Sequence, residues 1–197
     1  LHKSDVFGKK NLEKTIQKSN KHIYLDNIYN KNMKSLYGDI MHFASLSQKY
    51  MNKEDIHKVF KLKIAAKEII NGVKEVKKLE KNTSLYLKSK NTFIKNEYNV
   101  LRMGLANALK EIDLLASDKY SYDQKTNKLN KINEHIAALD ILSNGKIDSL
   151  IRENKINAKM ASSLISDAST TYHLCKKLLL ISNILFIKES NEELDVS

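Results

Sequence analysis

Residues 53 to 88 read KEDIHKVFKLKIAAKEIINGVKEVKKLEKNTSLYLK, and this stretch decides the fold class. Apolar residues recur in it at three- and four-residue steps, the period of an amphipathic α-helix. The positions of this stripe are Ile56, Phe60, Ala66, Ile69, Val73, Val76, Leu79, Thr83 and Leu87. Asn52 stands where an N-cap belongs, and Glu54 and Asp55 follow in the first turn, where the helix dipole favours acids. The stretch therefore predicts one helix from Lys53 to Lys88.

The same period predicts four further helices. The first carries a stripe from Leu12 to Tyr50 that is thin between Ile23 and Met33, where the pattern allows a kink. The positions of this stripe are Leu12, Ile16, Ile23, Met33, Tyr37, Ile40, Phe43, Leu46 and Tyr50. The third helix is predicted from Phe93 to Ala116, after a polar break at residues 89–92.

The fourth helix begins near Tyr122, and its end has two readings. Gly145 predicts a left-handed cap, whereas Ile147 and Leu150 restore the period and allow the helix to continue to Glu153. A tight turn follows, with Ile156 turned inward and Asn157 as the N-cap of a last helix that reaches Leu185. We expect the acidic tail, residues 189–195, to be frayed.

Composition agrees with long helices joined by short turns. The 197 residues include no proline and only five glycines, and 42% are hydrophobic, which is typical of a globular domain. We predict an all-α fold: one domain over residues 1–197, an elongated antiparallel bundle of about five long helices. The most apolar run, residues 178–187, is half the length of about 20 residues that a membrane span needs, so the chain is expected to be soluble.

No set of residues predicts catalysis or metal binding. The six histidines form no HExxH pair, and Cys175 and His173 are two residues apart, so they face different ways on a helix. Cys175 is expected to be a buried small hydrophobe. Glu68 and Glu75 lie seven residues apart and are interpreted as solvated charges among lysines. The sequence therefore predicts a protein that is not an enzyme and holds no cofactor.

Positive charge is concentrated in the second helix. The net charge is +11, and residues 53–90 contain eleven lysines against five acids. Four of these lysines share one helix face: Lys74, Lys77, Lys78 and Lys81. One interpretation is that these lysines form an ordinary solvated face. The functional interpretation is that they form a binding surface for anionic lipid or for an acidic protein surface. Arg102 and Arg152 are the only arginines and no reading motif occurs, so nucleic acid is not expected as a partner.

Four segments, in order, resemble the PhoU-like cytosolic domain at the C-terminus of bacterial Na/Pi-cotransporter family proteins. They are residues 33–40 (MKSLYGDI), 65–69 running into 73–82 (AAKEI, VKEVKKLEKN), 97–102 (EYNVLR), and 150–156 followed by 161–167 (LIRENKI, ASSLISD). The resemblance implies a PhoU-like bundle that is a fragment, normally preceded by a sodium-coupled phosphate-transporting membrane domain of the same polypeptide. It also implies a regulatory role at the cytoplasmic face of the bacterial inner membrane, with that transport domain as partner; a second copy of the chain is a further candidate partner.

One departure from the family pattern concerns metal. PhoU proteins carry an acid four residues before an Asp in their metal motifs, but here Ser163 stands four residues before Asp167, so no metal site is carried over.

The residues and the resemblance together leave two functional hypotheses. The first is a regulatory domain of a sodium-dependent phosphate transporter that modulates uptake through protein contacts. The alternative is a free-standing helical adaptor that binds a signalling or transport protein.

Overall fold

The described part of the chain is built from helices alone. The computed structural model describes residue 14 and residues 25–117, 119–137 and 145–187, and these contain no strand. The elements are α1 (Leu25–Ile28), a π-helical segment (Tyr29–Met33), α2 (Lys34–Ser47), a 3₁₀ turn (Gln48–Tyr50), α3 (Lys53–Leu87), α4 (Thr92–Leu115), α5 (Tyr122–Ala137), α6 (Lys146–Arg152) and α7 (Ala158–Phe186). The all-α prediction is confirmed for these residues. The predicted start of the first helix at Leu12, its stripe positions Ile16 and Ile23, and the acidic tail lie outside them.

Asparagine side chains begin the three longest helices. The carbonyl of Asn52 accepts a hydrogen bond from the backbone N–H of Asp55 at 2.8 Å, and that of Asn157 accepts from Met160 at 2.9 Å, as the sequence predicts. Asn91 caps α4 by accepting from Ile94 at 3.2 Å. Its amide also donates to the backbone carbonyl of Lys155 at 2.7 Å, and so joins the α3–α4 turn to the α6–α7 turn.

Two irregular backbone features fall where the periodicity left questions open, and one of them settles its question. The π-helical segment Tyr29–Met33 falls in the interval where the first stripe thins. Gly145 has φ +67°, a left-handed conformation that interrupts an α-helix, so the reading in which the fourth helix continues through it is wrong. A separate short helix, α6, follows this glycine. After α6 the turn has Asn154 at φ 54° and buries Ile156, as expected.

The longest helices, α3 and α7, run antiparallel and close together. Glu75 contacts Lys177, and Tyr86 contacts Ser163, so residue numbers rise along α3 as they fall along α7. The helices approach closely at Gly72, where an added Cβ would lie 3.2 Å from Leu174 Cδ1. Gly72 is therefore a packing position rather than a turn.

The buried apolar residues form two clusters. One joins the end of α3 and the start of α4 to α6 and the start of α7, with Ile94, Tyr98 and Leu164 at its centre. The other joins the later part of α4 to α5 and the later part of α7, and includes Leu115, Ile132 and Cys175. Neither cluster includes a residue of α1 or α2, in which Ala44 is the one buried side chain. The hairpin formed by α2 and the start of α3 therefore lies outside the main core.

Candidate binding surfaces

Asp167, the last residue of the segment that resembles a PhoU metal motif, is engaged inside the protein. Its Oδ2 accepts a hydrogen bond from the Tyr98 hydroxyl at 2.6 Å, and both side chains are buried. Burial and the Asp167 carboxylate together raise the pKa of Tyr98 above its ordinary value, so the phenol keeps its proton. Within the described residues no group of three or more His, Cys, Asp or Glu side chains is placed to hold a metal ion. The geometry gives Asp167 a structural role.

A second buried carboxylate, Glu97, was not identified from the sequence. It lies beside Tyr98 on α4 and pairs with Lys146 of α6 at 2.9 Å. One signal does exist for Asp167: it lies three residues after Leu164 and directly before Ala168, on the apolar stripe of its helix. An acid on a buried stripe needs a partner inside the protein. Glu97 carries the same signal, since it lies three residues after Ile94 and directly before Tyr98 on the apolar face of α4.

The four lysines predicted to form one docking face have three different environments. All are exposed. Lys77 pairs with Asp26 of α1, and Lys74 lies 5.8 Å from the centre of the Tyr29 ring. Lys78 lines a groove between α3 and α7, and Lys81 lies one turn further along α3. The N-terminal helical segment therefore contacts half of the predicted face.

The groove beside Lys78 is predominantly basic. It has a volume of about 330 Å³ and is lined by Glu75, Lys78, Thr170, His173, Lys176, Lys177 and Leu180. Glu75 Oε1 pairs with the Lys177 ammonium, while Glu75 Oε2 is buried and has no hydrogen-bond partner. The interpretation of Glu75 as a solvated charge is therefore wrong: its side chain is 15% exposed, because Lys177, 102 residues away in sequence, packs against it.

Three other lining side chains of the groove already make contacts. The Lys176 ammonium donates to Asn133 Oδ1 at 2.5 Å, and the Thr170 hydroxyl donates to the carbonyl of Ser166 at 2.9 Å. The exposed ring of His173 packs edge-on against Tyr172, with ring centres 5.5 Å apart. Lys78 is thus the lining cation best placed to meet an anion in the groove, and Lys177, which already pairs with Glu75, also lines it.

An exposed apolar row runs along the hairpin. Leu36, Ile40, Phe43, Leu46 and Tyr50 follow one another at three- and four-residue steps, and all are exposed, Phe43 by 71%. Ile56 and Phe60, one turn apart at the start of α3, are exposed as well. The sequence places six of these seven residues, all but Leu36, on apolar stripes expected to face the core. That expectation is wrong for this part of the chain, because the packed side of α2 is formed around Ala44 instead. We call the five α2–3₁₀ residues with Ile56 and Phe60 the hairpin row.

Cys175 is buried in the second core cluster, as predicted. Burial raises the pKa of its thiol to about 12, so the thiol stays protonated at neutral pH. His173 is exposed, so the two side chains lie on different sides of α7. This geometry therefore does not place His173 to activate Cys175 as a thiolate nucleophile.

No protein-family model, no curated protein and no solved structure matches this chain. In the described segments, no helix has both the length and the apolarity needed to span a bilayer.

Proposed function

We propose that this chain is the regulatory domain of a sodium-dependent phosphate transporter, and that it modulates uptake through protein contacts rather than by catalysis. The observation that carries the proposal is the hairpin row. Large exposed apolar patches are typical of protein interaction sites, and five of these seven exposed side chains follow one face of helical residues 36–50. The row lies outside both core clusters, so the fold does not require these residues to be apolar.

The resemblance to the Na/Pi-cotransporter family supplies the partner in this proposal. One of the matching segments, residues 33–40, supplies two residues of the hairpin row, Leu36 and Ile40. Two others supply Tyr98 and Asp167, which contact each other in the buried pair. The partner is then the membrane transport domain of the same polypeptide, and contact with an anionic leaflet through Lys78 and Lys81 would be secondary.

Uptake measurements with a matched pair of variants test the proposal. Leu46 and Leu85 are helical leucines with nearly equal exposure, 55% and 54%, but only Leu46 belongs to the hairpin row. In a full-length transporter that carries this chain, Leu46→Ser together with Phe43→Ser should change sodium-dependent uptake of labelled phosphate at least about twofold, whereas Leu85→Ser should not.

Equal uptake in all three proteins would contradict the transporter assignment. The same hairpin row would then serve the alternative function, that of a free-standing helical adaptor. Circular dichroism of each variant shows whether a change in uptake comes from unfolding. We expect every variant to stay folded, because exposed apolar side chains contribute little to stability.

A further inference from the structure

The groove between α3 and α7 combines several cations with one carboxylate. We propose that it binds a protonated phosphate group, with Lys78 and Lys177 meeting the anionic oxygens and Glu75 accepting the phosphate proton in a hydrogen bond. The inference rests on the proposed function, since it names the ligand to which a phosphate-transport regulator would respond. The groove has a volume of about 330 Å³, which leaves room for a phosphate group with attached water.

Charge selects an anion for this groove. Lys78, Lys176 and Lys177 line it against the single acid Glu75. Thr170, His173 and Lys177 lie at three- and four-residue steps along α7 and therefore present one face to Lys78 of α3. The ammonium of Lys176 is bound to Asn133 and that of Lys177 to Glu75, so we assign the leading contact to Lys78. Lys177 adds its remaining donors, because an ammonium has three. Ammonium groups bind phosphate as point charges with three rotatable donors.

Glu75 selects among anions. Its Oε2 is the one buried side-chain oxygen or nitrogen in the described residues that has no hydrogen-bond partner, and such a group costs free energy until a donor arrives. Glu75 lines the groove, and the terminal torsion of a glutamate is soft, so we infer that its carboxylate can turn to offer this oxygen to a donor there. At neutral pH, phosphate and its monoesters retain a proton in part or in full, whereas sulfate has none. Sulfate would therefore meet Glu75 as a bare like charge, while hydrogen phosphate would donate to it.

Titration calorimetry of the 197-residue chain tests this selectivity. Inorganic phosphate and sulfate are compared at equal ionic strength, which equalises non-specific screening. We expect phosphate to bind at least about tenfold more tightly than sulfate, and Lys78→Gln to weaken phosphate binding about tenfold through loss of a charge-assisted contact. The matched control is Lys81→Gln, which removes an exposed lysine of the same helix that does not line the groove.

A second variant tests the role of the carboxylate. Glu75→Gln keeps the shape but replaces an acceptor-only group with an amide that can also donate to sulfate. The preference for phosphate over sulfate should therefore fall toward unity. Thermal melts followed by circular dichroism show whether this variant folds, since Lys177 loses its partner. If it does not fold, the comparison of Lys78→Gln with Lys81→Gln in the two anions decides the question.

Vesicles distinguish a free phosphate from a lipid headgroup. Phosphatidic acid is a phosphate monoester that retains a proton, whereas the diester phosphatidylglycerol has none to donate. Binding of inorganic phosphate assigns a soluble ligand; preference for phosphatidic acid vesicles, without binding of inorganic phosphate, assigns a headgroup.

The proposal is overturned if neither ligand binds, if phosphate and sulfate bind equally to the unaltered chain, or if Lys78→Gln behaves like Lys81→Gln. The uptake test uses the hairpin row and this test uses the groove, so each can fail without the other.

Discussion

The buried pair of Tyr98 and Asp167 offers the sharpest test of the packing. Replacing Tyr98 by phenylalanine removes one hydroxyl and leaves the ring in place. The hydroxyl lies 2.6 Å from Asp167 Oδ2, a separation typical of an O–H donor bound to a carboxylate. Tyr98 is 1% exposed and Asp167 5%, so water cannot readily replace the lost donor.

The expected loss of stability follows from these facts. A hydrogen bond to a charged group contributes about 1.5–3 kcal/mol, and leaving a buried acceptor unsatisfied brings the cost to the upper part of that range. We therefore expect Tyr98→Phe to lower the free energy of unfolding by about 2–3 kcal/mol. Urea denaturation followed by circular dichroism measures it, with an unchanged slope showing that the unfolding reaction itself is the same.

A matched tyrosine controls for the chemistry of the substitution. Tyr122 is 43% exposed at the start of α5, so Tyr122→Phe should change stability by less than about 0.5 kcal/mol. A double-mutant cycle that combines Tyr98→Phe with Asp167→Ala should give a coupling free energy of at least about 1 kcal/mol between the two side chains. A Tyr98→Phe variant no less stable than Tyr122→Phe, or an additive cycle, would refute the reasoning.

Three further predictions follow from burial and packing. Burial raises the pKa of Cys175 to about 12 from an ordinary 9.0, so the stabilisation that it gives is present below pH 9 and is lost as pH rises toward 12. The urea midpoint should fall as pH rises over that interval, and it should fall less steeply with pH in Cys175→Ala. Gly72→Ala should change stability by less than about 1 kcal/mol, because better helix propensity offsets the close contact with Leu174, whereas Gly72→Leu should cost roughly 1–3 kcal/mol in the same assay. Protein purified without a metal-binding tag should contain no stoichiometric iron or zinc by elemental analysis, because Asp167 is held by Tyr98; metal that disappears in Asp167→Ala would contradict this.

Local signals were readable from the sequence. The caps at Asn52 and Asn157 depend on groups three residues away, so their hydrogen bonds could be anticipated without knowing the fold. Asn91 carries the same kind of cap signal, although it stands in a stretch that composition marks only as a polar break. The all-α fold class could be predicted from the three- and four-residue spacing of the apolar residues.

Contacts between distant segments were not readable. The partner of Glu75 is 102 residues away and that of Asp167 is 69 residues away, so neither pair has a local pattern. Periodicity also shows that α2 is amphipathic without showing which apolar flank is covered. Phe43 and Ala44 are neighbours in sequence, yet Ala44 is buried and Phe43 exposed.

The close approach at Gly72 has a mechanical consequence. Residues Lys53–Leu87 form one unbroken helix, so α3 is a stiff rod, and its close contact with α7 at Gly72 can serve as a pivot. Phe60 lies twelve residues from that pivot, an arm of about 18 Å at 1.5 Å per residue. A tilt of about 5° at the pivot would move Phe60 by roughly 1.5 Å over that arm. Because Glu75 and Lys78 lie within two turns of the pivot on its other side, a change in spacing there would be amplified at the far end of the rod.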